Sequence, residues 1–444
     1  MKFLLLVLFT VTILNAQNIE GEILDAETSE PIEFVNVFVK EQKIGGVSDS
    51  RGKFKIVTNQ KIAPSQAVFF TILGYHPVSY SIADLKKRNF TIYLNKSTEV
   101  LNEVTMSGNR KRKPNIAYTK LAPLIKGVYN FGSEIINDKI YVVGGDKTFF
   151  ENEFRTATMN STNEAEFRRK LKPNNNWKNH SDALQIYDIP NGTWEESDLK
   201  FRKRAYHRVT SIDNQLYILG GKRLALNRKY EYLDDKIEVL DIAANNIVID
   251  DVNPHQALNF ATFSHQDNII LMGGSIKREL EGPKTFTNKS HVFNTKTGYW
   301  YELPKMTKAK ETNGVIIKDK IYLIGGFNRK ALNEIESFDL ISGAWEIEGK
   351  LPYGIENPSV TFNNNIIYIY NIGKIFTFNI RTKSLSEFNI ELNFSDASIH
   401  YYQDKLYLLG GMVKEDFQIT SSKNLYSIDL SEFNTTEFTN APSK

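Results

Sequence analysis

The chain of 444 residues contains no cysteine. It therefore holds no disulfide, and it cannot carry the lipid anchor that needs a cysteine at a cleavage site. Stability has to come from core burial, which a chain of this length can supply. Charge of one sign is also missing: 55 Lys plus Arg stand against 52 Asp plus Glu, so no global field points to nucleic acid. Histidine is sparse. His76, His180, His207, His255, His265, His291 and His400 show no paired metal-ligand spacing, which argues against a zinc site. There is no HExxH, no GxSxG elbow and no glycine loop leading into a helix to cradle phosphate. After the first sixteen residues, no run is long or apolar enough to span a bilayer. No cofactor is expected.

What the chain does have is aromatic residues, 21 Tyr and 28 Phe, whose flat rings suit pleated strands. Met1 to Ala16 carries one Lys, the apolar run Phe3 to Leu14 and an imperfect small-residue cleavage site at Leu14-Asn15-Ala16. This is the layout of a secretory signal, too short to serve as a membrane anchor. The expectation is a mature protein in the periplasm or outside the cell, monomeric and with no transmembrane segment.

Residues 18–107 read as short strands between turn clusters, the pattern of a small β-sandwich. Gly52 follows Asp49 at the spacing of a tight turn that wants φ > 0. Four motifs occur in order: Gly21 to Thr28, Pro31 to Val37, Asp49-Ser50-Arg51-Gly52-Lys53-Phe54 and Leu73-Gly74-Tyr75. This stretch resembles the carboxypeptidase-regulatory-like domain, a transthyretin-like sandwich found at the front of exported Bacteroidetes proteins. The resemblance implies an accessory module and no peptidase activity. Residues 108–115, with Asn109-Arg110-Lys111-Arg112-Lys113-Pro114, read as a solvated linker.

From residue 116 to 440 the text repeats. Asp319 to Gly326 is a polar turn, a short strand and a glycine pair, and pairs also close at Gly144-Gly145, Gly220-Gly221, Gly273-Gly274 and Gly410-Gly411. A degenerate copy, Asn364 to Asn371, lacks them. Downstream of each copy, an Asp or Asn (Asp188, Asp241, Asn294, Asp339, Asn379, Asp429) can start an Asx turn. Three blocks then add Gly and Trp, ending at Trp194, Trp300 and Trp345. Six four-stranded units predict an all-β chain: a small β-sandwich followed by a six-bladed β-propeller. The paired glycines, the preceding Tyr141, Tyr217 and Tyr322, and the later tryptophans resemble kelch repeats. Two segments compete to supply the outer strand of the last blade: Ile116 to Leu121, or Thr435 to Phe438.

Strand alternation places the loop after each glycine pair on one face. The longest, Asp146 to Asp182, carries Phe149, Phe150, Phe154, Phe167, Arg168, Arg169 and Trp177; it is either a lid or partner-binding arm, or a poorly ordered insertion. Counting back from the glycine pairs collects the expected lining of a central funnel: Asn130, Tyr206, His207, Arg208, Asn259, Glu311, Asn313, Glu356, Asn357 and Asp396. Arg204 joins them through the basic stretch Arg202-Lys203-Arg204. Such groups suit a polar ligand, or simply water.

With no catalytic constellation in sight, the expected function is a non-enzymatic scaffold that binds an envelope protein or a glycan through this face. The alternative is implied by kelch propellers that are exported sialic acid mutarotases, with Arg208, His207 and Glu311 acting on an anionic sugar. A copper enzyme like galactose oxidase is excluded, because that family's cofactor needs a cysteine bonded to a tyrosine.

Overall fold

A computed structural model describes residues 17–39, 44–58, 62–72, 75–96, 112–171, 177–227, 230–276, 284–415 and 417–441. The expected signal segment, most of the linker's basic run, Gly74, and residues 172–176 of the long loop lie outside the described residues. The chain divides into two compact units, Met1–Asn109 and Arg110–Lys444.

In the front unit, a three-stranded sheet sets Gln17–Asp25 between Lys53–Thr58 and Thr91–Leu94, and a four-stranded sheet runs in the order Ile44–Val47, Asn36–Val39, Ala67–Thr71, Val78–Ser81. Alternation decides the packing. Lys53–Thr58 exposes Lys53, Lys55 and Val57 and buries Phe54, Ile56 and Thr58, and Phe54 and Ile56 join Ile19, Ile23, Val37, Val68 and Phe70 in one core. Gly52 takes φ +70, as the tight turn requires. The buried Asp25 carboxylate accepts from the amides of Glu27 and Thr28 at 2.9 and 3.0 Å and from the Tyr75 hydroxyl at 2.8 Å. The Thr28 amide first, then the Tyr75 hydroxyl, hold it well below the usual carboxylate range.

Besides two smaller three-stranded sheets, the second unit has among its described residues six four-stranded antiparallel sheets, one of them extended by a fifth strand. Their innermost strands are Gly132–Ile136, Arg208–Ile212, Ala261–His265, Glu311–Ile317, Ser359–Asn363 and Ser398–Tyr402, and the blades are numbered one to six in that order. Each inner strand neighbours the next, and the last neighbours the first, so the ring is closed. Thr119–Lys120 pairs with Tyr426 and Ser427 and is the outer strand of blade six. The C-terminal segment instead adds Thr439–Ala441 to the outside of blade five, against Leu385, Ser386 and Glu387.

The repeated residues act locally. In all six blades the Asx oxygen accepts from a backbone amide two or three residues ahead, for example Asn191 on Asp188 and Ser342 on Asp339 at 2.9 and 2.7 Å. Trp194, Trp300 and Trp345 then lie against Tyr187, Phe293 and Phe338, with ring centroids 5.1, 4.9 and 4.9 Å apart.

The glycine pairs do more than end strands. The second glycine's amide donates to a carbonyl in the segment leading into the next blade: Gly145 to Arg204, Gly221 to Ala257, Gly274 to Lys310, Gly326 to Ile355 and Gly411 to Val128, at 2.7 to 2.9 Å. In blade five, which lacks the pair, Gly373 donates to Leu392 at 2.8 Å. All six have positive φ. A second ring lies nearer the axis: Asn130 N–H donates to Asp396 O, Tyr206 to Asn130, Asn259 to Tyr206 and Thr312 to Asn259, at 2.8 to 3.3 Å. Asn130, Tyr206, Asn259 and Asp396 adopt φ of 47 to 62 to make it.

Candidate functional site at the propeller mouth

The loops launched by the glycine pairs are built structure. Between the second and third strands of blade two, Lys222–Leu224 and Glu231–Leu233 form a hairpin. At the same place in blade six, Met412–Glu415 and Gln418–Ser421 form another, and Phe150–Glu151 of the long insertion adds a third strand to it. The insertion also folds two short helices, Glu153–Met159 and Glu164–Lys170, joined by an edge contact of Phe154 on Phe167 at 5.4 Å. Asn152 and Asn163 cap them by accepting from Arg155 and Glu166 amides.

A cavity of about 240 Å³ opens beside the inner ring, lined by Lys178, Tyr206, Lys222, Glu231, Tyr232, Leu233, Leu258, Asn259, Lys284 and Glu311. Glu231 accepts from Lys178 at 2.6 Å and from Lys222 at 3.2 Å. Glu311 is buried and accepts from Ser275 Oγ at 2.5 Å, Lys284 Nζ at 3.1 Å and Asn259 Nδ2 at 3.4 Å. Lys222 Nζ sits 4.2 Å from the centre of the Tyr206 ring. Burial pulls the Lys222 ammonium below its ordinary value and pushes the Tyr206 phenol well above its own.

A second cavity, also about 240 Å³, is the central channel, lined by the inner strands of all six blades. Arg208 reaches it, with Nε donating to Phe260 O at 2.7 Å and burial lowering the guanidinium to about 10. Between the adjoining inner strands of blades one and six, Ser133 Oγ donates to Ser398 Oγ at 2.7 Å, and His400 Nε2 lies 2.8 Å from Ser133 Oγ. Burial in the narrow channel raises Glu134 to about 7 and lowers His400 to about 4.

The residues expected to line the funnel divide into two groups. Tyr206, Asn259 and Glu311 line the mouth cavity, and Arg208 and Asn313 the channel. Asn130, Asn357 and Asp396 come together: Asn357 Nδ2 donates to Asp396 Oδ1 at 2.8 Å and to Asn130 Oδ1 at 3.4 Å. Glu356 is exposed.

Arg204 and His207 belong elsewhere. Arg204 is fully buried and donates to the carbonyls of Ile218, Gly220 and Lys236 and to Glu238 Oε2 at 2.6 Å, with Asp234 3.2 Å from its Nε. Its donors are spent inside the fold. The neighbouring Arg202 and Arg223 also pair with Asp234, so the basic stretch is neutralised by acids that the spacing rule did not reach. His207 is fully buried between blades one and two; its Nε2 lies 3.1 Å from Val143 O and 3.2 Å from the Gly132 amide nitrogen, and burial holds it well below its ordinary value. The set Arg208, His207 and Glu311 is therefore not assembled around one ligand.

Lys178, Lys222, Glu231, Tyr232 and Lys284 escaped the sequence count. One signal was available, since Lys222 directly follows Gly220-Gly221. Likewise His255 and His291, far apart in sequence, meet with Nδ1 atoms 2.8 Å apart. Among the described residues, no group of three or more His, Cys, Asp or Glu could hold a metal ion, and no helix is long and apolar enough to cross a membrane.

A ring of four-stranded blades with glycine-launched loops defines a propeller of the kelch kind. The CarboxypepD_reg-like domain family matches residues 19–106, and the Kelch motif matches residues 311–352. Kelch-like protein terF of Aspergillus terreus is 23% identical over 258 residues, 55% of this chain and 49% of its own length. Kelch-like protein 40 of Xenopus tropicalis is 28% identical over 164 residues, 36% of this chain and 24% of its own. Kelch repeat and BTB domain-containing protein 12 of Homo sapiens is 19% identical over 178 residues, 37% of this chain and 29% of its own. The chain thus spans half or less of these relatives. It is a kelch-repeat protein fronted by a CarboxypepD_reg-like domain, and kelch repeats suggest a protein-interaction scaffold.

Proposed function

We propose that the protein is an exported, non-enzymatic binding scaffold of the cell envelope, monomeric, that grips a protein or glycan partner through the loop face of the propeller. The observation that carries this is the run of aromatic side chains left in solvent on the loops of blades one and two: Phe149, Phe154, Trp177, Tyr230 and Tyr232 are each between 49% and 63% exposed. Rings so exposed keep most of their surface outside the fold, Phe154 despite its edge contact with Phe167, and such rings become hot spots when covered by a partner. The rigid ring beneath keeps them in place, so little order has to be gained on binding.

Crosslinking of envelope extract to the full chain tests the reading, with Phe149→Ala plus Trp177→Ala as the comparison. A partner retained by the parent and lost by the variant, both melting alike, is the expected result; equal capture by both would sink it. Export is tested by fractionating cells that express the chain with and without residues 1–16, and the monomer by its sedimentation.

A further inference from the structure

The mouth cavity discriminates between partner chemistries by its charge balance. Three lysines and two glutamates line it; beyond them Asp146 and Asp396 act on Tyr206, and Arg208 faces Glu311, so four positive groups stand against four negative ones. Every cation is already committed: Lys178 and Lys222 to Glu231, Lys284 to both oxygens of Glu311. A partner's carboxylate or ammonium would have to break one of these pairs and leave a charge unmatched in a half-buried site, which is costly. A neutral ligand rich in hydroxyls has no such conflict. Each hydroxyl both donates and accepts, so it can accept from a lysine and donate to a glutamate while the ion pairs stay closed.

Size and shape narrow the class. At about 240 Å³ the cavity falls below the roughly 300–1,000 Å³ of drug-sized ligand sites, so it takes one small unit and not a chain. Its wall is amphipathic. Leu233 and Leu258 contribute apolar surface, and Tyr232, which is 55% exposed at the rim, offers a flat ring. Lys222 covers one face of Tyr206, and the more exposed Tyr232 is the platform. A pyranose has the matching duality, hydroxyls around its edge and an apolar face of C–H groups.

We propose that this cavity binds a single neutral sugar residue, stacked on Tyr232 and hydrogen-bonded through the Lys222–Glu231 and Lys284–Glu311 pairs. This rests on the loop-face reading above and gives that face its ligand class. Titration calorimetry and saturation-transfer NMR of the full chain with methyl glucoside, galactoside and mannoside, and with methyl glucuronide and free glutamate as charged controls, test it without needing the partner. The expected result is that one neutral glycoside binds with a Kd of about 1 mM, weakened about fivefold by Tyr232→Ala and also by Lys222→Met, while both variants melt like the parent. Binding by the charged controls alone, no glycoside binding, or glycoside binding indifferent to both variants each overturns it. A protein that captures its partner yet binds no glycoside overturns this inference and leaves the scaffold reading intact; one that binds a glycoside yet captures no partner does the reverse. If the glycoside binds, partner treated with a glycosidase shows whether the sugar sits on a glycoprotein, in which case capture is lost, or on a free glycan.

Discussion

The amide of Gly411 in the last blade donates to the carbonyl of Val128, just ahead of the first, at 2.9 Å. This bond is one of those that join the two ends of the propeller, and its counterpart links each blade to the next. Gly411 makes it at φ +99, where a Cβ would lie 2.8 Å from the Phe394 ring and from Ser395 O. Gly298 serves as a control, since it has φ +72 but nothing within 4 Å of its would-be Cβ. Gly298→Ala should cost about 1 kcal/mol, the left-handed backbone alone. Gly411→Ala should cost about 3 kcal/mol or more, because strain and overpacking add to it. Denaturant unfolding of the two variants checks the difference, and equal losses would dismiss the clasp.

Closure by the segment ahead of blade one gives a second expectation. Ile116 is buried and its amide donates to Asn389 O at 2.8 Å, Leu121 donates to Leu425 O at 2.9 Å, and the Tyr118 ring stands edge-on to Tyr426 at 5.2 Å. Deleting residues 115–122 should lose cooperative melting of the propeller, with at least about 3–5 kcal/mol gone from buried side chains alone. Removing 439–441, the extra edge strand of blade five, should lower the melting temperature only slightly. Calorimetry of both truncations decides between the ends.

The fold was legible because its signals are local and repeated. The Asx turn recurs in all six blades, the glycine pair in five and the Gly-x-Trp ending in three, so the complete blades interpret the degenerate ones. The site was less so, because successive residues of one strand face opposite ways. His207 and Arg208 are neighbours in sequence, yet the first is sealed between two blades and the second reaches the channel. Lys178, Lys222 and Lys284 come from the loops of three different blades, and nothing in the sequence around any one of them announces the other two.

Blade three offers a comparison that no spacing rule reveals. In blade two Arg204 donates to Gly220 O and to Glu238; in blade four Lys310 donates to Gly325 O and pairs with Glu336 at 2.5 Å. In blade three the same places hold His255, whose Nε2 lies 2.9 Å from Gly273 O, and His291. The carbonyl only accepts, so His255 carries its proton on Nε2 and accepts at Nδ1 from His291. Burial lowers His255 from an ordinary 6.5 to about 3. The folded state therefore binds that proton less readily than the unfolded chain, and stability is lost as pH falls from about 6.5 toward 3. The double variant His255→Lys, His291→Glu, which copies blade four, should flatten this part of the stability profile between pH 6.5 and 4. A profile parallel to the parent's would rule the pair out as its source.

Glu134 runs the other way. It faces the channel, where burial raises it from 4.5 to about 7, and the only bond to its carboxylate among those described is a 3.3 Å contact from the Ile135 amide. A carboxyl whose folded value is raised favours the fold while protonated. Its contribution is complete below about 4.5 and disappears as pH rises through about 7. Of the channel's other titratable groups, Arg208 near 10 lies outside that window, while His400, lowered from 6.5 to about 4, overlaps it with the opposite sign and is present in parent and variant alike. Glu134→Gln keeps the shape and removes the charge. It should leave stability unchanged near pH 4.5 and raise it by about 1–3 kcal/mol at pH 8, so the parent-minus-variant difference in unfolding free energy has to open across that interval. A difference that stays flat would mean that Glu134 is hydrated, and the channel would then be wet enough to solvate a full charge at its centre.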